Sequence, residues 1–288
     1  MREERTTTSE ERTALADGNS IPTIGLGVLR VPSDDAEQSV RTALTAGYRS
    51  IDTAATYGNE DGVGRGIRNS EVPREEVFLT TKVWNTDHGY DRTLAAFDKS
   101  LARLGLDHVD LYLIHWPMAH LGKIPETWRA LVELKAQGRV RSIGVSNFLV
   151  KHLELLASES DETPVVNQIE LHPHMQQHEL REYHRSKGIV TQAWSPLGQG
   201  QVLSDPTLVE VAHRHGRSVA QIVLRWHIQL GNVAIPKSSN PGRIADNRDV
   251  FGFALTEDDM AAIGTLNADR RIGSHPDSPP KNPLPYDD

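Results

Sequence analysis

Residues 47–61 read Gly47-Tyr48-Arg49-Ser50-Ile51-Asp52-Thr53-Ala54-Ala55-Thr56-Tyr57-Gly58-Asn59-Glu60-Asp61. A short strand over 48–52 runs into a tight turn and then a helix. Asp52 ends the strand and Tyr57 follows five residues later, so both belong to the rim of a sheet. A plain connection would use Gly, Asn or Ser there. Read alone, Asp52 as a helix cap and Tyr57 as a packed ring explain the stretch equally well.

Working outward, the same strand-then-helix unit recurs. Short apolar strands read at 24–28, 48–52, 77–82, 109–114, 140–145, 165–169, 189–194 and 233–235. Helical periodicity reads at 34–46, 90–104, 125–137, 149–157, 178–187, 207–215, 218–229 and 256–266. Eight βα units with near-continuous apolar strands predict an α/β fold, a parallel (β/α)8 TIM barrel. An open doubly wound sheet is the alternative, but no strand is followed by a full G-x-G-x-x-G. Asp17-Gly18 between short apolar pieces predicts an N-terminal β-hairpin cap. Residues 1–13 read as a disordered leader, 14–288 as one barrel domain, and the Pro-rich stretch 270–288 as a C-terminal flap.

The chain has 288 residues, with 39 acids against 31 bases and a formal net charge of −8. No long basic run offsets that charge, so nucleic acid is not an expected partner. Cysteine is absent, which excludes disulfides and thiolate metal sites and fits a reducing cytoplasm. The charged start has no apolar core for a signal or anchor. No window approaches the roughly 18 apolar residues of a membrane span. The expectation is a soluble, cytoplasmic monomer acting on a small molecule.

In a parallel barrel, chemistry gathers at the C-terminal ends of the strands. Those ends carry Asp52, Lys82, His115, Ser146-Asn147, Gln168, Trp194-Ser195 and Ile235-Pro236-Lys237-Ser238. A lysine ending a buried strand needs a counter-charge, and Asp52 ends the adjacent strand. A purely structural ion pair would look the same at this level.

Taken together, these motifs resemble the aldo-keto reductase family. The resemblance rests on the stretch from Gly47 to Glu60, then Thr81-Lys82-Val83-Trp84-Asn85 and Leu113-Ile114-His115-Trp116-Pro117. It continues through Ile143-Gly144-Val145-Ser146-Asn147-Phe148, Asn167-Gln168, Ser195-Pro196-Leu197, Ile235-Pro236-Lys237-Ser238, Arg243-Ile244 and Asn247. It implies a catalytic tetrad of Asp52, Tyr57, Lys82 and His115. Tyr57 would give a proton to a carbonyl oxygen, Lys82 would lower its pKa, Asp52 would hold Lys82, and His115 would orient the carbonyl. It implies NADPH as hydride source. Ser146, Asn147 and Gln168 would hold the carboxamide, and Trp194 would stack on the nicotinamide. Ser195, Pro196, Leu197 and Gly198 would follow the pyrophosphate, with Ile235 beside them. Lys237, Ser238 and Arg243 would grip a 2′-phosphate and Asn247 the adenine. Trp84 and Trp116 would wall the substrate pocket.

Two departures stand out. Asp246 occupies a place where the family commonly has Glu, and the stretch between Pro117 and Trp128 is short, as in bacterial diketogluconate-reductase-like members. Two rival functions are weighed alongside. His172, His174 and His178 form H-x-H-x-x-x-H, a pattern a metal-dependent barrel hydrolase could use; the expectation is that no metal binds. A regulatory module that binds the cofactor without turnover is the other, and turnover separates it from an enzyme.

Overall fold

Parallel pairing runs through eight strands laid side by side in chain order. They are β3 (Leu26–Gly27), β4 (Ser50–Asp52), β5 (Phe78–Val83), β6 (Val109–Ile114), β7 (Val140–Ser146), β8 (Val166–Glu170), β9 (Val190–Trp194) and β10 (Val233–Ala234). The two edges meet where Ile24 bridges Ala234 and Gly27 bridges Lys237, so the sheet closes into a barrel. The computed structural model describes residues 11–278.

Each strand is buried on both faces, which is why its sequence lacks a polar alternation. In β5, Leu79 and Val83 face the surrounding helices while Phe78 faces inward. Thr80 and Lys82 share the inward side by the strand's period of two. The helices α1 (Ser33–Thr45), α2 (Glu60–Arg68), α3 (Tyr90–Leu104), α4 (Ile124–Ala136) and α5 (Val150–Glu159) follow β3 to β7 in turn. α6 (His178–Lys187) follows β8, α7 (Pro206–His215) and α8 (Val219–Gln229) follow β9, and α9 (Pro241–Arg248) and α10 (Glu257–Gly264) follow β10.

β1 (Arg12–Ala14) pairs antiparallel with β2 (Ser20–Pro22) around a turn that contains Gly18. Leu15 and Ile21 of this hairpin pack on Phe78, Leu111, Leu113, Val166 and Val233 and close the floor of the barrel. Burying each such aliphatic side chain is worth about 1.5–3 kcal/mol. The hairpin begins at Arg12, so the segment expected as a leader over 1–13 gives up its last residues to a strand. Residues 1–10 of that leader, and 279–288 of the C-terminal tail, lie outside the described residues.

α2 carries glycine at 62, 64 and 66 because its neighbours leave no room. A methyl at Gly62 would overlap the Ser33 carbonyl, and one at Gly64 the Leu104 carbonyl. A Cβ on Gly66 would stand 2.8 Å from that of Val40. α2 is therefore wedged between α1 and the end of α3, directly behind Tyr57.

Candidate active site

β4 ends at Asp52, and the chain then makes a single 3-10 turn over Ala55–Tyr57. Gly58 follows in the left-handed region (φ 64°), which sends the chain into α2. Asn59 ties this turn to the barrel. Its Nδ2 donates to the carbonyls of Val28 and Val31, each at 2.9 Å, and its Oδ1 accepts from Thr53 Oγ1 at 2.8 Å. The buried carboxylate of Glu60 adds a second tie. It accepts from Thr81 Oγ1 at 2.6 Å and pairs with Arg103 at 2.6 Å. Nothing in the sequence motif assigned a task to Asn59 or Glu60. Their place directly after Tyr57 was the available signal.

Inside the rim, Lys82 Nζ donates to Asp52 Oδ1 at 2.6 Å and to the Thr53 carbonyl at 2.9 Å. Gln168 Nε2 donates to Asp52 Oδ2 at 2.7 Å and to Gln192 Oε1 at 2.9 Å. Burial raises the pKa of Asp52 and lowers that of Lys82, while each partner's charge opposes the change in the other. Tyr57 lies beside them, with Lys82 Nζ 5.2 Å from its ring centroid. His115 meets Tyr57 edge-on at 5.7 Å and Trp84 edge-on at 5.1 Å. The four residues expected as a tetrad thus converge.

Their electrostatics differ from the expectation in one respect. Burial, and then the charge of Asp52, push the Tyr57 phenol well above its ordinary pKa rather than below it. Lys82 Nζ is engaged by Asp52 and by the Thr53 carbonyl. The raised pKa keeps the phenol protonated near pH 7. His115 is pushed well below its usual pKa by burial, by Lys82 and by His88, and is neutral near pH 7. Its buried Nδ1 has no hydrogen-bond partner among the described residues.

A second group lies next to the first. Ser146 Oγ donates to the Gln168 carbonyl at 2.8 Å. Asn147, held at φ 62°, donates from Nδ2 to the His115 carbonyl at 2.9 Å and accepts from Trp194 Nε1 at 2.9 Å. The Nε2 of Gln168, a residue expected to hold a carboxamide, is engaged by Asp52 and Gln192. The loop after β9 carries Ser195, Pro196, Leu197 and Gly198, and Gly198 N–H closes a turn on the Ser195 carbonyl at 2.8 Å. Trp116 directly follows His115 and is half-buried.

The third group sits after β10. Ile235 is buried and Lys237 is exposed. Ser238 is buried, and its hydroxyl accepts from Asn240 N–H at 3.2 Å. Asn240 caps α9, accepting from Arg243 N–H at 3.0 Å. Arg243 therefore stands in the first turn of the helix, as its spacing from Pro241 predicts. Lys237 and Arg243 are two cations without an ion pair among the described residues. Asn247 is buried on the same helix, while Asp246 is exposed.

The three histidines of H-x-H-x-x-x-H do not converge. His172 pairs with Glu170 at 3.1 Å, His174 pairs with Asp205 at 3.1 Å, and His178 is exposed at the start of α6. Among the described residues, no three His, Asp or Glu side chains are grouped so as to hold a metal ion. A cavity of about 710 Å³ lies elsewhere, beside the hairpin at the floor, lined by Arg12, Arg49, Asp110 and Arg141 among others. It is remote from every residue of the tetrad. The described part of the C-terminal segment crosses the rim near Trp194, where Glu170 receives it. Glu170 was not singled out as a site residue, although its inward-facing register with Val166 and Gln168 was readable from the strand's alternation.

Comparison with known proteins agrees with this arrangement. The profile described as Aldo/keto reductase family matches residues 23–268. An aldo-keto reductase of Mycolicibacterium smegmatis is 56% identical over 265 residues, covering 92% of this chain and 96% of its own. A glyoxal reductase of Bacillus subtilis is 52% identical over 272 residues, covering 94% and 98%. A mutant of Gox0644 solved in complex with NADPH superposes with a TM-score of 0.89 at 51% identity, covering 92% of this chain and 97% of that one. The chain belongs to the aldo-keto reductase family, a family of oxidoreductases, and its barrel is that family's fold.

Proposed function

We propose that this protein reduces aldehydes and small ketones to alcohols with NADPH, using Tyr57 as the proton donor. The observation that carries the reading is the sealed Lys82–Asp52 pair set beside Tyr57 and a neutral His115 at the barrel's C-terminal rim. The cofactor supplies the hydride when bound, since no side chain can. His115 donates from its neutral ring to the carbonyl oxygen and orients it. Tyr57 delivers its proton to that oxygen. The charge left on the phenolate is met by Lys82, and Asp52 keeps Lys82 charged and aimed. Trp84 and Trp116 provide apolar walls for the carbonyl's substituents.

The residues present fit the cofactor. Lys237 and Arg243 flank the first turn of α9 without ion-pair partners among the described residues, a suitable setting for a phosphate. Ser146, Asn147, Gln168 and Trp194 form one patch beside His115, with polar groups for a carboxamide and an indole for a flat ring. Ser195, Pro196, Leu197, Gly198 and Ile235 would follow the pyrophosphate, and Ser238 and Asn247 would join the outer group. The NADPH held by the Gox0644 mutant supports this choice, and the glyoxal reductase of Bacillus subtilis points to small, reactive carbonyls.

The remaining expectations complete the reading: a monomer acting in the cytoplasm on a small-molecule carbonyl, with neither nucleic acid nor membrane as partner. No helix among the described residues is long and apolar enough to cross a membrane. The deciding experiment is a panel of glyoxal, methylglyoxal, aromatic aldehydes, diketo-sugars and steroids, followed by NADPH absorbance. Turnover of the small aldehydes supports the proposal. Tight NADPH binding with no turnover of any panel member would replace it with a regulatory binding module. Elution at twice the monomer mass in size-exclusion chromatography would overturn the monomer.

A further inference from the structure

Glu170 ends β8 facing into the barrel and is fully buried, yet the proposed chemistry does not use it. Its carboxylate is occupied by the C-terminal segment. Ile272 N–H donates to Oε1 at 2.6 Å, and Gly273 N–H donates to Oε2 at 2.9 Å. His172 Nε2 stands 3.1 Å from Oε1, and Arg271 lies 3.7 Å from Oε2. Gln177 also donates to the Glu170 backbone carbonyl. Burial alone would raise the carboxyl's pKa. His172 and the two N–H groups overcome it and hold the group below the usual carboxylate range. An ionised carboxylate receiving two backbone N–H groups makes stronger bonds than a neutral acceptor would.

The segment it holds rests on Trp194. A Cβ on Gly273 would overlap the outer edge of the indole and stand 3.0 Å from Glu170 Oε2. From the other direction, Trp194 Nε1 is tied to Asn147 Oδ1 at 2.9 Å. The indole is thus gripped between the end of β7 and the tail segment at Ile272–Gly273.

We propose that Glu170 is a positioning residue for cofactor binding: by latching the Ile272–Gly273 backbone it seats the tail against Trp194 and fixes the plane on which the nicotinamide packs. The inference rests on the reading of Trp194 as the stacking residue. Gly273 is the second half of the latch, since only glycine lets the backbone come this close to the ring.

The test uses the full chain, with NADPH titrated by calorimetry and its dissociation followed by stopped flow. Glu170→Gln replaces one accepting oxygen by an NH2 group that cannot receive an N–H. Gly273→Ala places a methyl where the indole sits. Each variant should bind NADPH roughly tenfold more weakly through faster dissociation, tenfold being 1.4 kcal/mol. 2′,5′-ADP, which carries the adenine and the 2′-phosphate but no nicotinamide, should bind each variant as it binds wild type, which a general loss of structure would not allow. The double variant should be no worse than the weaker single, because both undo one contact. Wild-type affinity in both singles overturns the proposal. Trp194→Ala then separates the causes. If it weakens NADPH while the latch variants do not, the latch is wrong and the stacking role stands. If it too leaves NADPH unchanged, the stacking role falls and the latch falls with it. Should Glu170→Gln fail to fold, Gly273→Ala decides alone.

Discussion

Lys82 Nζ lies 2.6 Å from Asp52 Oδ1, and neither side chain is more than 3% exposed. Such a pair is costly to bury and more costly to halve. Lys82→Met leaves the Asp52 carboxylate without its cation and should destabilise the fold by about 3–5 kcal/mol. Asp52→Asn combined with Lys82→Met removes both charges and should recover part of that loss while restoring no turnover. Urea unfolding of the two variants checks this. A single variant as stable as wild type would mean that the pair is not sealed.

Tyr57→Phe keeps the ring and its edge-on contact with His115 and removes only the hydroxyl. Turnover should fall by about 10²- to 10⁴-fold, the usual contribution of a positioned general acid. NADPH affinity should stay the same. Near-normal kcat in this variant would refute Tyr57 as the proton donor.

Arg243→Ala should weaken NADPH by roughly 10- to 150-fold, the equivalent of a lost charge-assisted hydrogen bond or two. NADH has no phosphate at that position and should bind unchanged. Paired titrations of the two cofactors discriminate. Equal weakening of both would remove Arg243 from the phosphate site.

Acid should unfold the protein from an unusually high pH. Burial lowers His88 to about 4, and His184 and His227 to about 3. His184 illustrates the cause: its Nε2 faces the Asn167 amide at 2.9 Å and its Nδ1 faces Thr191 Oγ1 at 2.9 Å, a neutral ring with both nitrogens engaged. A histidine with a depressed folded pKa binds more protons when unfolded. Stability is therefore full above about pH 6.5 and is lost as pH falls toward the folded values. Thermal melts should drop steadily from about pH 6.5 to 4, and His184→Gln should flatten that slope. A melting temperature constant over this window would count against buried neutral histidines.

The barrel was legible because its strands follow near-continuous apolar runs and its helices carry clear stops. α3 occupies 90–104 as its periodicity predicts, closed by Gly105 in the left-handed region. The shortest strands, β3 and β10, are trimmed relative to their apolar runs because closure there relies on single bridges. The convergence of Asp52, Tyr57, Lys82 and His115 could be read because each ends a strand or follows one closely. Asn59 escaped notice because Nδ2 donates to the backbone carbonyls of Val28 and Val31, which carry no residue-type signature. Glu170 escaped because its donors are the N–H groups of Ile272 and Gly273, far away in the chain. The direction of the Tyr57 pKa depends on the depth at which the phenol is buried and on its nearness to Asp52. Residue types alone contain neither.

The three glycines of α2 bear on how this protein can diverge. Gly62 and Gly64 face carbonyls that belong to the backbones of other helices, so no neighbouring rotamer can move aside for a larger side chain. Positions 62 and 64 are thus closed to drift, and a library randomised there should return glycine. The sequence behind Tyr57 is held constant by backbone it touches, with no need for a catalytic role of its own.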